Sequence, residues 1–235
     1  MPAPIHLRPT APLAPRVLLP GDPGRALLLA QALLAEPKMF NHNRGLWGYS
    51  GEARCDGRPL SIQSTGMGGP SAAIVIAELC ELGARALVRV GTSGALIEGL
   101  GLGDLLIVTA ALAADGTSQA LGAAARIESP PGLLARLRAA GRGAVREGVA
   151  VSTDLFYDDR DGLEAEWAAG GASVVEMECA TLFAMARRRG IEAGAVLIVS
   201  DLLVPRRRRI DPEALRDAEH RLGELAVQAL AGLAL

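Results

Sequence analysis

The stretch Ser173-Val174-Val175-Glu176-Met177-Glu178-Cys179-Ala180 turns a short β-branched run into two carboxylates one residue apart, with an apolar segment, Thr181 to Arg189, directly behind. Val174 and Val175 read as the end of a buried strand. Thr181, Leu182, Met185 and Ala186 fall on one face of a following helix. The two acids therefore sit where open α/β sheets place their ligand crevices. Burying them is costly unless something binds them. Two readings stay open from this stretch alone: one acid caps the helix while the other is solvated, or both serve a ligand.

Outward from there, the chain repeats strand, turn and helix. Val17-Leu18-Leu19 reads as a strand, Pro20 to Arg25 as a glycine turn, and Ala26 to Leu34 as a helix with Arg25 in its first turn. Backbone N–H groups and a guanidinium at a helix start make a good anion site. Asn41 to Gly45 is a polar loop with a further arginine, Arg44. Asp56-Gly57 between two alternating runs predicts a hairpin. Gly66-Met67-Gly68-Gly69-Pro70-Ser71 is a glycine-rich loop before a helix over 72–82, with Ser71 expected as its cap. It matches neither the dinucleotide fingerprint nor the P-loop. Ala86-Leu87-Val88-Arg89-Val90 is a strand with an arginine inside it, followed by Gly91-Thr92-Ser93-Gly94. An arginine in an apolar strand must meet an anion or reach water.

Leu105 to Thr109 is the next strand, and 113–130 reads as a surface excursion. Ser152 to Tyr157 ends another strand with aromatics, of which Phe156 either fills the core or stacks on a planar ligand. Gly194 to Ser200 is a strand closing on a third strand-end acid, Asp201. Arg206 to Arg209 reads as a solvated basic run, and Asp211-Pro212 starts a last amphipathic helix. No repeat or linker divides the chain, so residues 1–235 are expected to form one α/β domain, a mixed sheet wrapped by helices.

Composition narrows the function. The chain has 235 residues, half of them hydrophobic, and a formal charge of −2, so no basic excess points to nucleic acid. Cys55, Cys80 and Cys179 are scattered, which suits neither a zinc site nor a disulfide framework. Prolines crowd the first fifteen residues without a signal pattern, and no apolar run approaches the ~20 residues needed to span a bilayer. A cytoplasmic protein without membrane contact is expected.

The strand ends together carry two or three arginines for a dense anion, carboxylates for hydroxyls or ring nitrogens, and an aromatic for a flat group. In this setting six segments resemble, in order, the nucleoside phosphorylase family that includes hexameric bacterial purine nucleoside phosphorylase and uridine phosphorylase. They are Leu19 to Arg25, Gly66-Met67-Gly68, Arg89 to Ala95, Asp154 to Tyr157, Val175 to Glu178 and Val199-Ser200-Asp201. The resemblance implies a distorted barrel-like sheet, no cofactor or metal, and inorganic phosphate as co-substrate. It implies phosphate bound by Gly21, Arg25, Arg89 and Thr92, with Arg44 from a neighbouring subunit. Ribose would meet Met67, Met177 and Glu178, with His6 crossing a dimer interface to the 5′-hydroxyl. Phe156, Val175, Glu176, Ser200 and Asp201 would line the base site, with Asp201 facing N7 of a purine as the catalytic acid. A homo-oligomer, at least a dimer and by family a hexamer built as a trimer of dimers, follows from the shared site.

Two departures stand out. The family arginine that assists the acid from the last helix falls, by ungapped count, on Ala214, so Arg216 or one of Arg206–Arg209 would have to substitute. Cys179 to Leu182 and Ala193-Gly194 are closer to uridine phosphorylase, yet Asp158-Asp159-Arg160 holds no Gln-x-Arg pyrimidine reader. Purine is therefore the expected base and uridine the alternative. A nucleosidase using water would have little use for Arg25 and Arg89, and a non-enzymatic nucleoside-binding protein is the rival from another class.

Overall fold

The arginine-bearing strand is the axis of the molecule. The computed structural model describes residues 4–233, and in it this strand, β5, runs Ala86–Ala95. Among the described residues the others are β1 (Arg16–Leu19), β2 (Leu34–Asn41), β3 (Gly48–Ala53), β4 (Pro59–Gln63), β6 (Leu105–Ala114), β7 (Arg126–Glu128), β8 (Arg146–Thr153), β9 (Val174–Glu176), β10 (Glu192–Leu202) and β11 (Arg208–Arg209). The helices are α1 (Pro23–Leu33), α2 (Gly69–Glu81), α3 (Gly116–Ala120), α4 (Pro131–Gly141), α5 (Leu163–Ala169), α6 (Cys179–Arg189) and α7 (Pro212–Leu230).

One mixed sheet joins all the strands. Going round, β10, β6, β8, β9 and β5 are successive neighbours, and β5 pairs back onto β10, so five strands close into a barrel-like ring. From β5 the sheet continues through β1 to β4, β3 and β2, while β7 and β11 hang from β6 and β10. No helix among the described residues is long and apolar enough to cross a membrane.

The near-continuous apolar strands are buried on both faces, as strands covered by helices must be. Along β10, Ala195, Leu197 and Val199 pack with α2 and α6 in one core, while Val196 and Ile198 pack with α1, α4 and α7 in the other. The same alternation along β5 sends Val88 and Val90 toward α1 and α7 and turns Leu87, with Arg89 two residues on, toward α2 and α6.

The Asp56-Gly57 hairpin forms as expected between antiparallel β3 and β4. One local expectation fails. Ser71 does not cap α2, which starts from Gly68; its hydroxyl donates to the Thr65 carbonyl instead. Proline at position 70 already supplies a residue with no N–H to satisfy in that first turn. The 113–130 stretch lies largely at the surface, as expected, but it carries regular structure and two buried polar residues. β6 runs on to Ala114, and Asp115 and Ser118 are wholly buried, with Asp115 capping α3 and accepting from the Thr181 hydroxyl of α6. Ala and Gly side chains carry too little periodic signal to reveal that continuation.

Candidate active site

The two outer edges of β5 are used unequally. β10 pairs along its whole length, from Ala86 to Ala95. On the other edge β1 pairs only as far as Arg89, and β9 begins only at Gly94. Val90 to Ser93 thus face a gap between two strand ends, and Arg25 Nη1 reaches in from α1 to 3.5 Å from the Val90 carbonyl. Strand alternation turns the Thr92 N–H to that same open edge.

Arg89 lies at the lip of the gap and is 5 % exposed. Its guanidinium folds back over Gly91, where an added Cβ would stand 2.7 Å from Cζ. Only glycine leaves room for that path. Nε donates to Glu176 Oε2 at 2.9 Å, and Nη2 forms an ion pair with Glu178 Oε2 at 2.5 Å. Burial works against its charge, but Glu178 and Glu176 outweigh it and hold the guanidinium firmly protonated. Burial pushes the Glu178 carboxyl up, with Arg89 opposing. Glu178 Oε1 accepts from Gly68 N at 2.5 Å, which draws the Gly66–Gly69 loop over the strand end. A Cβ on Gly68 would approach Met177 Cε to 3.9 Å, so Met177 lies beneath that loop.

Glu176 is enclosed completely. It accepts from Arg89 Nε, from the Ser152 hydroxyl, and from the backbone N–H groups of Glu178 and Cys179 at the start of α6. The helix-cap reading of the opening stretch is therefore realised in Glu176, while neither acid is solvated.

Across β5, Val175, Gly94 and Asp201 stand in register on three neighbouring strands. β10 carries a bulge between Val199 and Asp201, so Ser200 is the extra residue and the acid is re-aimed. Ser200 Oγ lies 2.9 Å from Asp201 Oδ2. β11 pairs Asp201 with Arg209, whose Nε is 4.0 Å from Asp201 Oδ1. The basic run is thus partly a strand rather than a free loop. Arg216 instead lines a groove of about 550 Å³ between α1 and α7, with Gly24, Leu27 and His220.

The remaining predicted residues are placed less closely. Gly21 abuts the second glycine loop, its carbonyl accepting from Gly66 N at 3.1 Å. Arg25 is paired through Nε with Glu219 of α7 at 2.7 Å. That glutamate went unnoticed in the sequence, because a carboxylate on a polar helix face gives no signal of its partner. Phe156 is 59 % exposed and stacks edge-on with Tyr157 at 5.0 Å, which removes the core reading of that aromatic. Met67 is 85 % exposed. Arg44 is exposed on a 3₁₀ turn over Asn43–Gly45, with φ 58°. His6 Nδ1 is 2.7 Å from Glu78 Oε1. No hydrogen bond or ion pair among the described residues joins His6 or Arg44 to Arg89 and its acids. Their segments are joined to each other, since Asn43 Nδ2 donates to the His6 carbonyl at 2.9 Å.

A buried cation gripped by two acids, a glycine loop tied to one of them, and a third acid in register with Gly94 farther along β5 lie at neighbouring strand ends. Comparison with known proteins fits that geometry: residues 15–234 match the model of the phosphorylase superfamily. The chain belongs to that family. It is 36% identical over 208 residues to a purine nucleoside phosphorylase DeoD-type of Clostridium beijerinckii, covering 85% of this chain and 86% of the relative. It is 36% identical over 199 residues to the protein of the same description in Geobacillus kaustophilus, covering 82% and 83%. A guanosine phosphorylase of Halorubrum lacusprofundi is 36% identical over 194 residues, 80% of this chain and 78% of that one. Each of these strand-end segments lies inside the matched region.

Proposed function

We propose that the chain is a purine nucleoside phosphorylase, cleaving purine (deoxy)ribonucleosides with phosphate to give the free base and the pentose 1-phosphate, as in purine salvage. The observation that carries this reading is Arg89 beside Glu178 at the open edge of β5, with Asp201 on the neighbouring strand in register with Gly94, farther along β5. A cationic floor beside an acid suits phosphate next to a sugar hydroxyl pair. An acid farther along the line suits a base nitrogen.

In this reading phosphate is held by Arg89, Arg25, the Gly21 backbone and Thr92. Glu178 leaves Arg89 to accept from the ribose 2′- and 3′-hydroxyls, with Met177 beneath the sugar and Met67 closing above. Phosphate attacks C1′ from one face as the base departs from the other, so orientation supplies much of the rate. Glu178 stabilises the cationic sugar as charge develops. Asp201, in its protonated form, gives N7 the proton the departing purine needs. Val175, Ser200 and the exposed ring of Phe156 frame the base.

His6 and Arg44 complete a neighbour's site in this account. Their tie through Asn43 supports it, because the two residues then move to a second copy as one unit. A dimer is the smallest assembly with a full site, and the family hexamer is its natural extension. The three cysteines are free, which suits a reducing cytoplasm.

The test is a panel of inosine, guanosine, adenosine and uridine with and without phosphate. Purine nucleoside cleavage that requires phosphate is the expected outcome. Uridine turnover alone, or cleavage indifferent to phosphate, would overturn it.

A further inference from the structure

Glu176 has no capacity left for a substrate. A carboxylate offers about four acceptor positions. Oε1 takes the Ser152 hydroxyl and Cys179 N at 3.0 Å; Oε2 takes Arg89 Nε at 2.9 Å, Glu178 N at 2.8 Å and a share of Cys179 N. The side chain has no exposed surface at all. Ser152, its hydroxyl partner on β8, in turn accepts from Ala180 N at 2.9 Å, so the pair closes off three N–H groups where α6 begins. That placement also sets negative charge against the positive end of the α6 dipole.

The consequence falls on Arg89. Its guanidinium is anchored through Nε, while the terminal nitrogens lie over Gly91 beside the open edge of β5, Nη2 against Glu178. A fork fixed at Nε can present two donors to a tetrahedral anion with little further loss of side-chain freedom. We infer that Glu176 is a positioning residue for phosphate, mounting Arg89 from β8, β9 and α6, and does not read the purine. This rests on the phosphorylase reading, and it replaces the base contact that the family resemblance implies for Glu176.

The experiment compares the full-length parent protein with Glu176→Gln and Ser152→Ala. Inorganic phosphate is titrated calorimetrically without nucleoside, and steady-state kinetics are run with phosphate and inosine varied in turn. The amide keeps the size but loses the charge and one acceptor, so E176Q should weaken phosphate binding and raise its KM by about 10- to 100-fold, the scale of a misplaced binding group. The ratio of inosine to adenosine cleavage should stay at the parent value. S152A, which removes one hydroxyl, should raise the phosphate KM by a smaller factor. A merely structural role would lower Vmax through loss of folded enzyme and leave the phosphate KM unmoved. Unchanged phosphate affinity in both variants, or a shift in base preference, would overturn the inference; should E176Q not fold, unchanged phosphate affinity in S152A alone overturns it. Phosphate binding by a parent that cleaves no nucleoside would sink the functional reading and leave this one standing.

Discussion

At Asp201 the fold supplies what the spacing along the last helix could not. β11 brings Arg209 to 4.0 Å from the carboxylate, whereas Arg216 lies in the groove between α1 and α7. Arg209 is 79 % exposed at its side chain, so the pair as it stands is a loose one. Arg209 is the arginine paired with Asp201 among the described residues, and substitution tests whether it assists the acid. Asp201→Asn should lower purine nucleoside cleavage by about 100-fold or more, the usual worth of a general acid. An amide can hydrogen-bond N7 but cannot pass it a proton. The loss should be larger for adenosine than for inosine, since the 6-amino base is the poorer leaving anion. Arg209→Met should cost less than Asp201→Asn and nothing further in the double variant. Equal kcat values for D201N and the parent would remove the acid role.

Among the elements, the hairpin strands show how tightly the site's scaffold is packed. A Cβ on Gly48 of β3 would stand 2.2 Å from Gln63 Oε1 on β4 and 2.6 Å from the ring of fully buried Phe40 on β2. Gln63 is held in place, because its Nε2 already donates to the carbonyls of Leu46 and Ser64. Gly48→Ala should therefore cost about 1–3 kcal/mol of stability, the range for overpacking. In a chain of this length that lowers Tm by roughly 3–10 °C, measurable by calorimetry. An unchanged Tm would mean that Phe40 repacks. Elements with strong patterns were legible in the sequence: the β5 run, the Asp56-Gly57 turn, and the Asp211 cap, which accepts from Glu213 N and Ala214 N. The β10 bulge at Ser200 was not, since a bulge depends on what the partner strand β5 offers at Gly94.

Over the whole molecule, Arg16 is the tie that fastens the ends. Almost wholly buried on β1, it grips Asp56 with both terminal nitrogens at 2.6 and 3.1 Å. It also donates to the carbonyls of Arg58, Pro59 and Leu230, the last at the end of α7. The Arg16 hydrogen bonds hold the Asp56 carboxyl down at about 2, against an ordinary 3.8. The sign follows from linkage: the folded state favours the carboxylate, so this stability is present above about pH 4 and lost as pH falls toward 2. It amounts to about 2 kcal/mol. Asp56→Asn should be less stable than the parent at neutral pH and should lose less on acidification, as read from urea midpoints at pH 7 and below pH 4. Parallel curves for the two proteins would refute the tie.

The sequence by itself determined the class of fold and the chemistry available to it. Buried strands need apolar runs, turns need glycine or Asp-Gly, and acids and arginines at strand ends are too costly to bury without partners. Those local requirements named Arg89, Glu178 and Asp201 and ordered them along the chain. Only the tertiary structure decided who partners whom. Glu176 belongs to Arg89 and α6, Arg25 rests on Glu219, and Asp201 faces Arg209, because these pairings join residues 8 to 194 positions apart through strand register and helix docking. Periodicity reports the face on which a side chain lies, and a charge partner on another element leaves no mark in that period.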